Sequence, residues 1–200
     1  MRRKKSISLI IICVVFSALV GLYCRNCIHI EQALLSYFKD PSNQLKQNHK
    51  IGDVNVELRF EPSGLINRSP IQPKNLQKNI ESKFYDNKYF FVLEFSCNNK
   101  ELLRQLPYDQ YSEMVQVFSF RMSDYIEMAI DESGTIYPIN CIFLQTYGMS
   151  NANRLMISFD GNRIEHSHHL KLFLREFGLN IGNQIFEIDT DNLKNAKIID

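Results

Sequence analysis

The chain is 200 residues long, 44% hydrophobic and 22% charged, with 8 Gly, 6 Pro, 5 Cys and no Trp. These proportions exclude collagenous, low-complexity and wholly disordered classes and suit one folded domain with an appendage. The net charge of +1 hides an asymmetry, because Arg2, Arg3, Lys4 and Lys5 lie in a start without acidic residues, and beyond residue 24 there are 19 basic against 22 acidic side chains. A body at −3 lacks the cationic surplus that neutralising phosphates requires, so no nucleic-acid partner is expected.

From Ser6 to Cys24 run 19 residues without a charge, rich in Ile, Leu and Val. At about 1.5 Å per residue a helix of that length covers ~28 Å, close to the ~30 Å hydrocarbon core of a bilayer. The segment is expected to be a transmembrane anchor over residues 6–24, helical because lipid offers the backbone no other partner. Four basic residues before it, against Arg25 alone just after, predict a cytoplasmic tail at residues 1–5 and an extracytoplasmic body. A cleaved signal peptide shares the basic start and the apolar run. Its cleavage site fits poorly, since Ser17, Ala18 and Gly21 make no A-x-A register, and Tyr23 and Asn26, which precede Cys24 and Cys27, do not suit lipid attachment.

Cys13 lies in the apolar run as a small apolar side chain. Cys24 and Cys27 form a C-x-x-C at the membrane boundary, with no second pair for zinc and no βαβ pattern for a redox site. Cys97 and Cys141 fall in apolar runs that read as strands, and an oxidising exterior allows a disulfide between them without spacing requiring it.

Residues 25–50 read as a stalk and linker, helical at first and turning polar from Lys39 to Lys50, so the folded body is expected over 51–200. Asp53 to Phe60 alternates apolar and polar residues strictly, as a strand with one buried face does. Tyr89 to Phe95 suits a strand covered on both faces, and Pro138 to Thr146, Leu155 to Phe159 and Gln184 to Asp189 also read as strands. Asp131-Glu-Ser-Gly134 signals a hairpin between Ile126 to Ile130 and Thr135 to Tyr137, and Asp160-Gly161-Asn162 signals another. Helices are expected over Pro73 to Phe84, Lys100 to Leu106 and Pro107 to Val117. Phe118 to Met122 and Leu170 to Phe177 satisfy both periods.

About seven strands without β-α alternation predict a mainly β fold. The expectation is an antiparallel immunoglobulin-like β-sandwich carrying one to three short inserted helices, without the Cys-Trp-Cys hallmark of antibody domains. The segments YSEMVQVFSFRM (Tyr111 to Met122), YPINCIFLQTYG (Tyr137 to Gly148) and FGLNIGNQIFEID (Phe177 to Asp189) resemble envelope-anchored, single-pass or lipoprotein-like β-rich proteins of Gram-negative bacteria, a group without an assigned activity. The resemblance implies a location, the periplasm, and a fold type, and it transfers no functional residue.

Glu165-His166-Ser167-His168-His169 is the densest set of metal-ligand side chains. His166 with His168 on a strand, or His166 with His169 on a helix, would give two ligands to zinc or copper, while solvated histidines on a turn account for the cluster equally well. Gly148-Met-Ser150-Asn-Ala152 resembles the nucleophile elbow G-x-S-x-G, which needs a helix after the serine, whereas another strand follows here. Asp189-Thr-Asp191-Asn192 lacks the glycine and glutamate of a calcium loop and reads as a turn. Asn67-Arg68-Ser69 matches a glycosylation triplet. Arg121 and Tyr125 are expected to face water.

No cofactor is expected and no catalytic motif stands out. The leading expectation is a membrane-anchored, non-enzymatic protein that binds an envelope protein through sandwich-end loops or an exposed edge strand. The alternative is a metal-dependent envelope hydrolase or metal-binding protein using His166, His168 and His169. A third is a binder of an apolar or carbohydrate ligand, given 9 Tyr and 14 Phe.

Overall fold

A computed structural model of the chain describes residues 36–37, 40–63, 87–131 and 134–198. The expected anchor at 6–24, the Cys24 and Cys27 pair, the helix over 73–84 and the Asn67 triplet lie outside the described residues. Among those described, no helix is long and apolar enough to cross a membrane.

Ten strands form among the described residues: β1 (Lys46–Ile51), β2 (Val54–Glu61), β3 (Lys88–Cys97), β4 (Lys100–Glu101), β5 (Ile126–Ile130), β6 (Gly134–Ile136), β7 (Asn140–Leu144), β8 (Asn153–Asp160), β9 (His169–Leu174) and β10 (Gln184–Asp189). One sheet runs β1-β2-β3-β8-β7, with β4 also paired to β3, and the other runs β10-β9-β5-β6. Every pairing is antiparallel. Mainly β with antiparallel sheets and few helices, the fold is compatible with a β-sandwich.

Alternation along the strands builds the core. Val56, Leu58 and Phe60 of β2, Tyr89, Phe91, Leu93 and Phe95 of β3, and Leu155, Ile157 and Phe159 of β8 join one buried cluster with Met128 of β5, Leu172 of β9 and Phe186 of β10. β3 is buried on its other face as well, at Phe90 and Val92, as its aromatic-rich sequence predicts. The two sheets meet directly beside β1, where the His49 ring lies flat on Phe186 with centroids 4.3 Å apart.

A helical segment closes one end. α1 (Tyr108–Gln116) follows Pro107 and continues through a π turn (Val117–Arg121) and a 3-10 turn (Met122–Tyr125). Met114, Val117, Phe118 and Met122 are buried, so helical spacing prevails over the period-two reading of Phe118 to Met122. The Phe118 ring meets Phe95 at 5.1 Å, Phe143 at 5.5 Å and Phe177 at 5.8 Å, all edge-on. Offset and edge-on rings satisfy the aromatic quadrupole better than stacked faces do.

Several expectations are corrected. The body begins before residue 51: β1 starts at Lys46 inside the expected linker, Leu45 is buried, and the Tyr37 hydroxyl donates to the Asn192 side chain at 3.1 Å. The polar alternation of Lys46 to Lys50 belongs to a sheet edge, whose outward side chains look like those of a linker. Lys100 to Leu106 forms β4 and a 3-10 turn (Leu103–Gln105) in place of a helix, because Lys100 and Glu101 pair back onto β3. Asp160 to Asn162 is a helix start and not a hairpin: Asp160 caps α2 (Gly161–Ile164), accepting from the Asn162 amide at 3.0 Å. Asp189 likewise accepts from the Asp191 amide at 2.9 Å at the start of α3 (Thr190–Ile198), where a turn was expected. Of Leu170 to Phe177, the part to Leu174 belongs to β9, paired on both sides, and Arg175 to Phe177 enters the loop after it.

Phe118→Ala would remove the ring shared by β3, β7 and the Phe177 loop. The expected loss is about 3–5 kcal/mol, read as a lower denaturation midpoint in urea.

Candidate interaction surface along the open sheet edge

The two sheets end differently on their two sides. On one side β1 and β10 cover each other: the Gln47 amide donates to the Glu187 carbonyl at 2.6 Å beside the His49–Phe186 stack. On the other side the chain leaves β6, three residues long, passes through Tyr137, Pro138 and Ile139, and enters β7, five residues long. β7 pairs only with β8 among the described residues. Its inner side is held by the Phe143–Phe118 ring contact, and the π turn packs beside it.

From Gly134 to Asn153 the sequence carries no Asp, Glu, Lys, Arg or His. This uncharged run supplies the edge and the loop after it, and it exposes Tyr137 (65%), Ile139 (50%), Ile142 (42%), Tyr147 (76%) and Met149 (86%). Single exposed apolar residues are ordinary, whereas several gathered along one strand and its flanks mark an interaction surface.

Next to this edge lies an open cleft of about 680 Å³ lined by Phe143, Leu144, Gln145, Thr146, Met149, Ser150, Asn151 and Arg154. Its loop is fastened to the body by a buried carboxylate. Glu101 of β4 accepts from the Thr146 hydroxyl and, at 3.1 Å, from the Gly148 amide. Gly148 adopts a φ of +81°, a left-handed conformation that favours glycine, and the Arg104 guanidinium crosses the loop close above it. Asn153 is buried and accepts from the Leu103 amide at 2.8 Å, joining the base of the loop to the 3-10 turn. Arg154, which borders the cleft, is paired with Glu94 at 3.0 Å, and Glu94 also faces Arg59 at 3.6 Å.

The residues singled out by their chemistry do not converge on this cleft or on one another. His166, His168 and His169 are all exposed. What that segment contributes is backbone: the His169 and His168 amides donate to the two Asp131 oxygens at 2.8 and 3.1 Å. These two donors hold the Asp131 carboxyl below its usual range. Among the described residues, no three His, Cys, Asp or Glu side chains are grouped to hold a metal ion. Ser150 sits in the loop before β8, where its hydroxyl accepts from the Ala152 amide at 3.4 Å, and a strand follows. Arg121 is exposed and lies over the Tyr125 ring, its guanidinium carbon 5.9 Å from the centroid.

The Cys97–Cys141 bridge is not formed, and both thiols are free. Cys141 stands opposite Ile157, Ile157 stands opposite Phe91, and Cys97 lies six residues farther along β3. That offset is roughly 20 Å along the strand, against a disulfide reach of about 7 Å between Cα atoms. Sequence reasoning could place both cysteines on strands, but it had no means to supply the register between them.

One anion-like site is satisfied from within. Glu176 lies in the loop after β9, where one carboxylate oxygen accepts from the amides of Phe177, Gly178, Leu179 and Asn180 at 2.7–3.1 Å. The other accepts from Gly182 at 2.5 Å. Gly178, at a φ of +111° and close to the Met114 methyl, gives the loop the curvature that turns these amides inward. Burial pushes the Glu176 carboxyl up, but the converging amides of Gly178, Gly182, Leu179 and Asn180 outweigh it, leaving the group below its ordinary value.

No protein-family model matches the chain, and no curated protein or solved structure matches it either. The open edge therefore stands on its own geometry.

Two measurements follow from these environments. Burial pushes the Cys141 thiol up to about 12 from 9.0, so at pH 8 its thiolate is roughly a thousandfold scarcer than in an unfolded chain. Alkylation at Cys141, followed by mass spectrometry, should be slow in the folded protein and fast in urea. Because the folded-state pKa of Glu176 is lowered, its contribution is fully present above the unfolded value near 4.5 and fades as pH falls through the folded one. Glu176→Gln should lose about 1 kcal/mol at pH 7, an amount limited by solvent screening, and the gap to wild type should close in denaturation curves taken towards pH 3.

Proposed function

We propose that the protein is a membrane-anchored extracytoplasmic binding protein that docks another protein along the β7 edge. The observation that carries this reading is the open, uncharged edge itself, with Tyr137, Ile139, Ile142, Tyr147 and Met149 exposed along it. An extended partner strand added to such an edge gains main-chain hydrogen bonds, while side-chain pockets beside the edge select its sequence. The cleft at Thr146 to Arg154 provides such a pocket next to β7.

The anchor rests on the uncharged apolar run from Ser6 to Cys24 and the four basic residues before it. The likeness of three segments to envelope-anchored proteins of Gram-negative bacteria supports the periplasmic side as the place of binding. In this reading the two antiparallel sheets act as an immunoglobulin-like sandwich scaffold, and the role is non-enzymatic.

A photo-cross-linking side chain placed at Ile139 or Met149 of the full chain in intact cells should yield discrete protein adducts. The same group at Lys171, on the outer face of the other sheet, should yield none. A single cysteine at Ser150, in a chain with its other cysteines removed, should react with a membrane-impermeant maleimide once the outer membrane is permeabilised. Adducts from both faces alike, or from neither, would dispose of the docking edge, and labelling that needs lysis of the inner membrane would dispose of the location.

A further inference from the structure

Sheet edges present unpaired N–H and C=O groups, and soluble proteins blunt them with charge, proline, brevity or cover. Among the described residues, three of the four strands that end the two strand orders are treated in this way. β1 carries Lys46 and Lys50, and Lys46 pairs with Glu57 at 3.0 Å. β10 carries Glu187 and Asp189 and is bridged to β1 by the Gln47 bond. β6 has only three residues. β7 alone combines five residues, no charge and no cover among the described residues. Pro138 stands before the strand and bounds the edge at its start without interrupting it.

The chemistry of this edge also limits what can cover it. A charged strand would bury its charges against a run with no counter-charge from Gly134 to Asn153. Arg154, opposite Leu144 on β8, is already matched by Glu94 at 3.0 Å, and Arg104 lies beyond the strand, over the loop at Gly148. A neutral strand with apolar side chains on both faces meets the requirement, and the chain itself owns one.

We infer that β7 pairs with β7 of a second copy of this chain, antiparallel about a two-fold axis at Ile142. This inference rests on the docking-edge reading above and names its occupant. The register follows from symmetry: Ile142 lies across from Ile142 of the second copy, Cys141 across from Phe143, and Asn140 across from Leu144. The six-stranded sheets of the two copies become continuous, and the contact is isologous and closed. Among the described residues each copy has one such edge, so the pairing closes at two.

The full chain in mild detergent is the material for the test, with sedimentation velocity as the readout over a range reaching about 100 µM. Wild type should sediment as a dimer. Ile142→Lys and Ile142→Glu each place like charges face to face across the axis and should raise the dissociation constant at least tenfold. Mixing the two variants should restore the dimer, since Lys then faces Glu. Ile142 is 42% exposed, so both variants should keep the wild-type circular dichroism spectrum. A wild-type chain that stays monomeric throughout, an Ile142→Lys chain that dimerises like wild type, or a mixture that fails to recover would each overturn the pairing. A monomeric chain whose Ile139 cross-linker captures a different protein removes the self-pairing and leaves the docking edge standing. Absence of any adduct at Ile139 and Met149 removes both.

Discussion

The contact of the Phe118 ring with Phe95, Phe143 and Phe177 is the interaction on which the rest of this molecule depends. It joins the central strand of one sheet, the outermost strand of that sheet, the helical segment after α1 and the loop that leads to β10. Through Phe143 it also fixes the inner side of β7. An edge strand paired on one side only would otherwise be the part of the sheet most prone to open. Held from within by aromatic packing, β7 can leave its outer side free without losing its place.

The polar groups that position the edge share a common logic. Three acceptors are met by backbone donors or by a hydroxyl: the buried Glu101 by Gly148 and Thr146, the buried Asn153 by Leu103, and the half-buried Glu176 by a circle of amides. Burying a carboxylate is costly unless donors replace its water, and here the donors are supplied by the loops that the carboxylate shapes. Glu101 and Glu176 therefore act as the cores of two loops. The same economy explains Asp131, which gathers the His168 and His169 amides and leaves the three imidazoles of that segment in solvent.

The charge distribution divides the surface of the larger sheet. Around β2, β3 and β8, Arg59, Glu61, Glu94 and Arg154 form a connected set of ion pairs, and Lys46 with Glu57 extends the charged face towards β1. Burial, only partly offset by Arg59, pushes the Glu61 carboxyl up. β7 lies at the far side of the same sheet with no charge of its own. The larger sheet thus carries its charges on its central strands and on β1, and none on β7.

Local pattern alone determined most of the strands. The alternation of Asp53 to Phe60, the aromatic run of Tyr89 to Phe95 and the five residues of Ile126 to Ile130 reappear as β2, β3 and β5, because period-two burial is written residue by residue. The uncharged run from Gly134 to Asn153 was equally visible and marks the candidate surface, although its meaning depends on knowing that it forms an edge. Tertiary structure decided the matters that need two distant segments at once. Lys100 and Glu101 became a strand because β3 offered them a partner, Phe118 to Met122 became helical because Phe95, Phe143 and Phe177 surround Phe118, and Cys97 was separated from Cys141 by a register that no local spacing encodes. Local sequence sets which face of an element is apolar; which elements share a face follows only from the chain packing around one core.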